Sequence, residues 1–120
     1  MGLEHDTIVD LVYDYLLRSK DFDLMKKFYK YNGCNEMDIV MITGLCEKKP
    51  CFHGYEVKSR DTKSAKKRAY KQLKRFEDYV RNKYFCDVRT YYVRPVRKDV
   101  VITRLKKKEC LSDIIRDVIL

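Results

Sequence analysis

The period of the apolar positions changes several times along this chain, and each change marks an element. Ile8, Leu11, Val12, Tyr15 and Leu16 recur at three- and four-residue steps, the spacing of one helix face. Asp6 or Thr7 supplies a starting cap. The helical reading runs over 7–31 with a break near Asp21, because Leu24, Met25 and Phe28 continue an apolar face and Asn32-Gly33 offers a stop. Residues 37–43 are almost uniformly apolar and read as a buried strand, with room for an extra strand-like run before Met37. Residues 44–50 form a polar hairpin loop, and 51–58 the partner strand. Gly54 inside that strand marks a bulge or a close backbone approach. Asp61 or Thr62 then caps a long helix reaching about Asn82, with Ala65, Ala69, Leu73, Phe76 and Val80 in one stripe and Lys and Arg on the rest. A Tyr-, Val- and Thr-rich strand over 84–93 follows, ended by Pro95, and then a short strand over 99–105. Leu111, Ile114, Ile115, Val118 and Ile119 predict a closing helix over 111–120.

This order predicts an α/β fold, a central mixed β-sheet flanked by helices with a C-terminal strand–helix appendix. One domain over 1–120 is expected, its core over about 3–94 and the appendix over about 95–120. No internal repeat, low-complexity tract or linker interrupts it. Ten tyrosines and an ordinary apolar content exclude a disordered chain. No apolar run approaches the roughly 20 residues that span a bilayer, and the polar, acidic start does not resemble a secretory leader. Gly2 is a weak acylation cue, since Asp6 stands where that motif wants Ser or Thr.

Charge sharpens the picture. Lys and Arg total 27 against 18 Asp and Glu, a net +9. From Lys58 to Arg75 every second residue on average is basic, and Asp61 is the only acid. Such clustering points to a polyanionic partner rather than to general solubility. The five cysteines, Cys34, Cys46, Cys51, Cys86 and Cys110, include no CxxC pair. Buried free thiols in a reducing, intracellular compartment are expected. Zinc held by Cys46, Cys51, His53 and Cys34 would match no common module.

Asp38 opens the apolar strand, and Glu56 and Lys58 stand two apart on its hairpin partner, so that both point to one face. A Glu and a Lys so spaced are ordinarily a solvated surface pair. Here a hairpin brings them beside Asp38 and a basic helix follows at once. Asp38 and Glu56, with a backbone carbonyl such as that of Val57, form a hard oxygen set suited to Mg²⁺. Lys58 on the same face could orient or deprotonate a water and offset charge on a phosphate. The combination is a nuclease arrangement.

The residues also carry a resemblance. Asn35-Glu36-Met37-Asp38-Ile39-Val40, Gly54-Tyr55-Glu56-Val57-Lys58-Ser59 and Ala69-Tyr70-Lys71-Gln72-Leu73 are similar, in order and spacing, to the motifs of the PD-(D/E)XK nuclease superfamily. Met37 replaces the proline of the namesake pattern. The small Holliday-junction resolvases and the compact RecB-like and viral repair nucleases are closest in character. The resemblance implies a restriction-endonuclease-like core and Mg²⁺- or Mn²⁺-dependent DNA cleavage centred on Asp38, Glu56 and Lys58. It adds Gln72 as a hydrogen-bonding partner near the site and an acid from the first helix. Glu4 is the choice for that acid, with Asp10 and Asp14 competing. Glu36 is a further candidate through a bulge. His5 is another, since viral members of this fold take a metal-binding His from the first helix. His53 should point away from Glu56 and be structural.

Ser59 and Arg60 are best placed to grip a phosphate near the cut, with Lys63, Lys66, Lys67, Lys71, Lys74 and Arg75 as a backbone rail. Tyr91 and Tyr92 alternate faces, and one could stack on a base. Nuclease action on DNA, including branched DNA such as Holliday junctions, is the leading expectation. An RNA endonuclease, or a non-catalytic nucleic-acid-binding module on the same fold, is the alternative. A third reading is an interaction protein using the closing helix. Paired cuts favour a homodimer, and a compact, Lys- and Tyr-rich chain suits a virus or phage.

Overall fold

The computed structural model describes residues 4–97, 99–105 and 116–119. Helix α1 (His5–Ser19) leads into strands β1 (Leu24–Tyr31), β2 (Asn35–Thr43) and β3 (Cys51–Val57). Helix α2 (Lys63–Tyr84) follows, then β4 (Asp87–Val96), β5 (Asp99–Leu105) and β6 (Arg116–Ile119). The strands form one sheet in sequence order. β3 and β4, joined through α2, are parallel, and every other neighbouring pair is antiparallel. The fold is therefore α/β, a mixed sheet flanked by two helices.

Each helix buries its stripe on one face of the sheet. Ile8, Val9, Val12 and Leu16 of α1 pack with Ile39, Tyr55, Val57, Val93 and Ile102. Ala69, Leu73, Phe76 and Val80 of α2 pack with Met37, Val40, Phe52, Val88 and Tyr92. Each large apolar side chain removed from water in this way contributes about 1.5–3 kcal/mol. The Thr62 hydroxyl caps α2 by accepting from the Ala65 N–H at 3.1 Å. Gly54 is paired on both sides, with Val40 and Thr90, and is not bulged. Its role is the close approach. A Cβ there would stand 2.7 Å from two ring carbons of Phe76.

Several expectations change. The segment after Asp21 is not a continuing helix but β1, an edge strand whose lysines suit an unpaired edge. Asp23 fixes its start, through its N–H to the Ile42 carbonyl at 2.8 Å and its carboxylate to the Leu45 N–H at 2.9 Å. Asn32-Gly33, with φ of 47° and 87°, belongs to the β1–β2 hairpin turn rather than to a helix stop. Helix α2 runs on through Tyr84, and Pro95 lies inside β4 opposite Val100. β3 ends opposite Val93, so beyond it β4 has no strand on that side to need a proline N–H. Finally, residues 116–119 are a strand on β5, not part of a closing helix, and 111–115 and 120 lie outside the described residues. Since Val100 and Ile102 of β5 belong to the α1-side core, this strand is part of the main sheet rather than an appendix. Among the described residues no helix is long and apolar enough to cross a membrane.

Candidate active site

The ladder between β2 and β3 stops at Ile39 opposite Tyr55. One step further, Asp38 and Glu56 would face each other, and there the strands part. The pairing of β1 with β2 also lapses at this level, where Phe28 opposite Asp38 takes a left-handed φ of 52°. The Val57 N–H, released from the ladder, donates to Asp38 Oδ2 at 2.8 Å. A strand residue directs its N–H and C=O to the same edge, so the Val57 carbonyl leaves β3 toward this opening.

Two carboxylates, a lysine, a histidine and a glutamine converge here. Asp38 and Glu56 are both buried. Lys58 Nζ lies 3.2 Å from Glu56 Oε2 and donates to Gln72 Oε1 of α2 at 2.7 Å. His5, the first residue of α1, brings Nε2 to 3.1 Å from Asp38 Oδ2, and its Nδ1 lies 2.9 Å from Asp6 Oδ1. These groups line a cleft of about 360 Å³ with Tyr31, Asn35, Glu36 and Arg75. Arg75 reaches Asn35 Oδ1 at 3.3 Å across its mouth.

The electrostatics are those of a site short of positive charge. Burial, and then the Asp38 carboxylate, push Glu56 up to about 8 against the opposing pull of Lys58 and His5. Its Oε1 is buried with no hydrogen-bond partner among the described residues. Burial pulls His5 down, yet the Asp6 and Asp38 carboxylates together raise it above the ordinary imidazole value. An orphaned carboxylate oxygen beside a second buried carboxylate is the environment a divalent cation relieves. Mg²⁺ needs only one or two protein carboxylates plus water and phosphate oxygens, so the donor set fits. Among the described residues no three His, Cys, Asp or Glu side chains form a ready-made metal cage.

The other expected residues are distributed as follows. Glu4 is exposed at the cap position of α1 and does not line the cleft. Asp10 pairs outward with Lys27 at 2.9 Å, and Asp14 is exposed. His5 is the first-helix residue that meets Asp38. Ser59, Arg60, Thr62, Ser64 and Arg68 line a second hollow of about 370 Å³ at the start of α2, and Lys58 borders both hollows. Lys63, Lys67, Lys71 and Lys74 are exposed along α2, with Lys74 paired to Asp78 at 3.1 Å. Lys66 lies over the Tyr70 ring at 5.6 Å. Arg68 and Tyr31 went unmarked in the sequence, and Asn35 was marked only as the first residue of the Asp38 motif. The only signal for the first two was proximity to the turn and to the basic run.

His53 points away from Glu56, as expected, and is held by Thr43 Oγ1 and Tyr91 Oη, both at 2.9 Å. With both ring nitrogens engaged it is not available to zinc. Cys34 and Cys46 are exposed rather than buried, Cys51 and Cys86 are partly buried, and Cys110 lies outside the described residues. Tyr91 stacks on Tyr55 and Tyr92 is buried on the α2 side, so the two do take opposite faces.

No protein-family model, curated protein or solved structure matches this chain.

Proposed function

We propose that this chain is a metal-dependent endonuclease of the PD-(D/E)XK type, built on a restriction-endonuclease-like core and hydrolysing phosphodiester bonds in DNA. The observation that carries the reading is the convergence of Asp38, Glu56, Lys58, Gln72 and His5 on one cleft, with a Glu56 oxygen buried and unpartnered. Asp38, Glu56 and the Val57 carbonyl would hold Mg²⁺ or Mn²⁺, with His5 within reach of the same point. Bound there, the ion supplies an acidified water and neutralises charge at the phosphate.

The remaining work falls to the chain itself. Gln72 and Glu56 fix the Lys58 ammonium at the cleft, where it orients the attacking water and meets the charge that develops on the phosphate oxygens. Ser59, Arg60 and Arg68, beside the start of α2, receive the neighbouring phosphate. The exposed lysines of α2 carry the rest of the backbone without reading its sequence. Structured or branched DNA is the preferred substrate class, and a homodimer would make paired cuts.

The test uses plasmid, flapped and four-way DNA, and duplex RNA, with Mg²⁺ or Mn²⁺. Cleavage should require metal and fall by about 10²–10³ in E56Q and K58M. Cutting that survives E56Q or EDTA overturns the mechanism. The net charge of +9 and the basic face of α2 would serve a second reading equally, a module that binds without cutting. A non-catalytic binding module would bind DNA with salt-sensitive, EDTA-insensitive affinity and cut nothing.

A further inference from the structure

A cavity larger than the cleft lies apart from it. A hollow of about 520 Å³ opens on the α1 side of the sheet, the face opposite α2. Helix α1 ends at Ser19, and among the described residues no further element covers this part of β2–β5. One wall is aromatic. Tyr55 and Tyr91 stack at 4.2 Å with their planes 8° apart, and Tyr15 stands nearby. His53, held on both nitrogens, buttresses Tyr91. Met41 and Ile102 add apolar surface.

The rim is cationic. Lys20, Arg89 and Arg104 line the hollow against one acid, Asp21. None of the three cations has a carboxylate partner among the described residues. Arg104 Nε is buried and lacks any acceptor there. The three charges converge on the histidine. Burial first, then Arg89, Arg104 and Lys20, hold His53 down at about 4. Unpaired guanidinium groups favour phosphate. Tyrosine rings and aliphatic side chains favour a flat base. The volume lies within the roughly 300–1,000 Å³ of small-molecule sites.

We propose that this hollow binds a nucleotide, with its base against the Tyr15–Tyr91 wall and its phosphate on Arg104 and Arg89. The proposal does not rest on the nuclease reading, since it shares no residue with the cleft. The ligand can be a free nucleotide or an unpaired nucleotide of a strand, and the experiment separates the two sources.

The full chain, ¹⁵N-labelled and kept in EDTA, is titrated with dAMP, deoxyadenosine, inorganic phosphate and the single strand dA10. Saturable shifts with dAMP are expected at the amides of Thr43, Arg89, Tyr91 and Arg104, not at those of Asp38 and Glu56. Deoxyadenosine and phosphate alone should each bind at least about tenfold more weakly than dAMP, and R104Q should weaken dAMP by a similar factor. R89Q, at an exposed position that the fold tolerates, should weaken it several-fold, and it decides the matter if R104Q does not fold. Tighter binding of dA10 than of dAMP assigns the site to a strand, and equal or weaker binding assigns it to free nucleotide. The proposal fails if phosphate binds as well as dAMP, if shifts are confined to Asp38 and Glu56, or if the folded variants bind like the parent.

Discussion

Glu56 combines a buried carboxyl with a neighbouring buried carboxylate, and its titration should be visible in stability. Its folded value of about 8 lies above the ordinary 4.5, with Asp38, Lys58 and His5 as the charged groups facing it. The folded chain therefore holds a proton that the unfolded chain releases between these values. The associated stability is full below the ordinary value and is lost as pH rises to about 8. Metal-free melting curves should show Tm falling over this window in the parent, with a flatter fall in E56Q. Mg²⁺ at pH 7.5 should raise the parent's Tm and leave E56Q nearly unmoved. Parallel pH curves for the two proteins would contradict this. Asp38, Glu56 and Lys58 were legible in the sequence because strand period and hairpin spacing fix face and register together. The contact between His5 and Asp38 was only faintly so, because where α1 starts over the sheet is decided by tertiary packing. Lys20, Arg89 and Arg104 gave no sign at all, since only the fold brings the end of α1 onto the β4–β5 pair.

At the scale of elements, β3 and α2 are matched through the missing side chain at Gly54. G54A should cost about 1–3 kcal/mol from overpacking against Phe76. Denaturant unfolding of G54A beside G54A/F76L measures it, and a double variant no more stable than G54A would show that the ring is not the obstacle. Most elements were readable, α2 above all, because its stripe, cap and charge agree. The misread ones share a cause. Leu24, Met25 and Phe28 have steps that fit a helix face, yet the lysines and tyrosines among them suit an edge strand. Val118 and Ile119 fit a helix face as well, but β-branched residues beside an open β5 pair with it. Local pattern cannot report which sheet edge is vacant.

For the molecule as a whole, the excess of nine positive charges is unevenly spread. It is concentrated along α2 and reaches the cleft through Lys58 and Arg75. Affinity for duplex DNA should fall linearly in logarithmic terms as salt rises, and replacing Lys67 and Lys71 together by Gln should reduce that slope by about 2. Filter binding across salt concentrations measures the slope, and an unchanged value would remove α2 from the interface. The parting of β2 from β3 has its own consequence. Asp38 is a rivet as well as a proposed metal ligand, since its carboxylate satisfies a backbone amide that the sheet has let go. D38A should lose about 1–3 kcal/mol of stability by stranding that amide, whereas D38N keeps an oxygen for it and forfeits the negative charge alone. Comparing the two melts with the two activities would divide architecture from chemistry at a single atom.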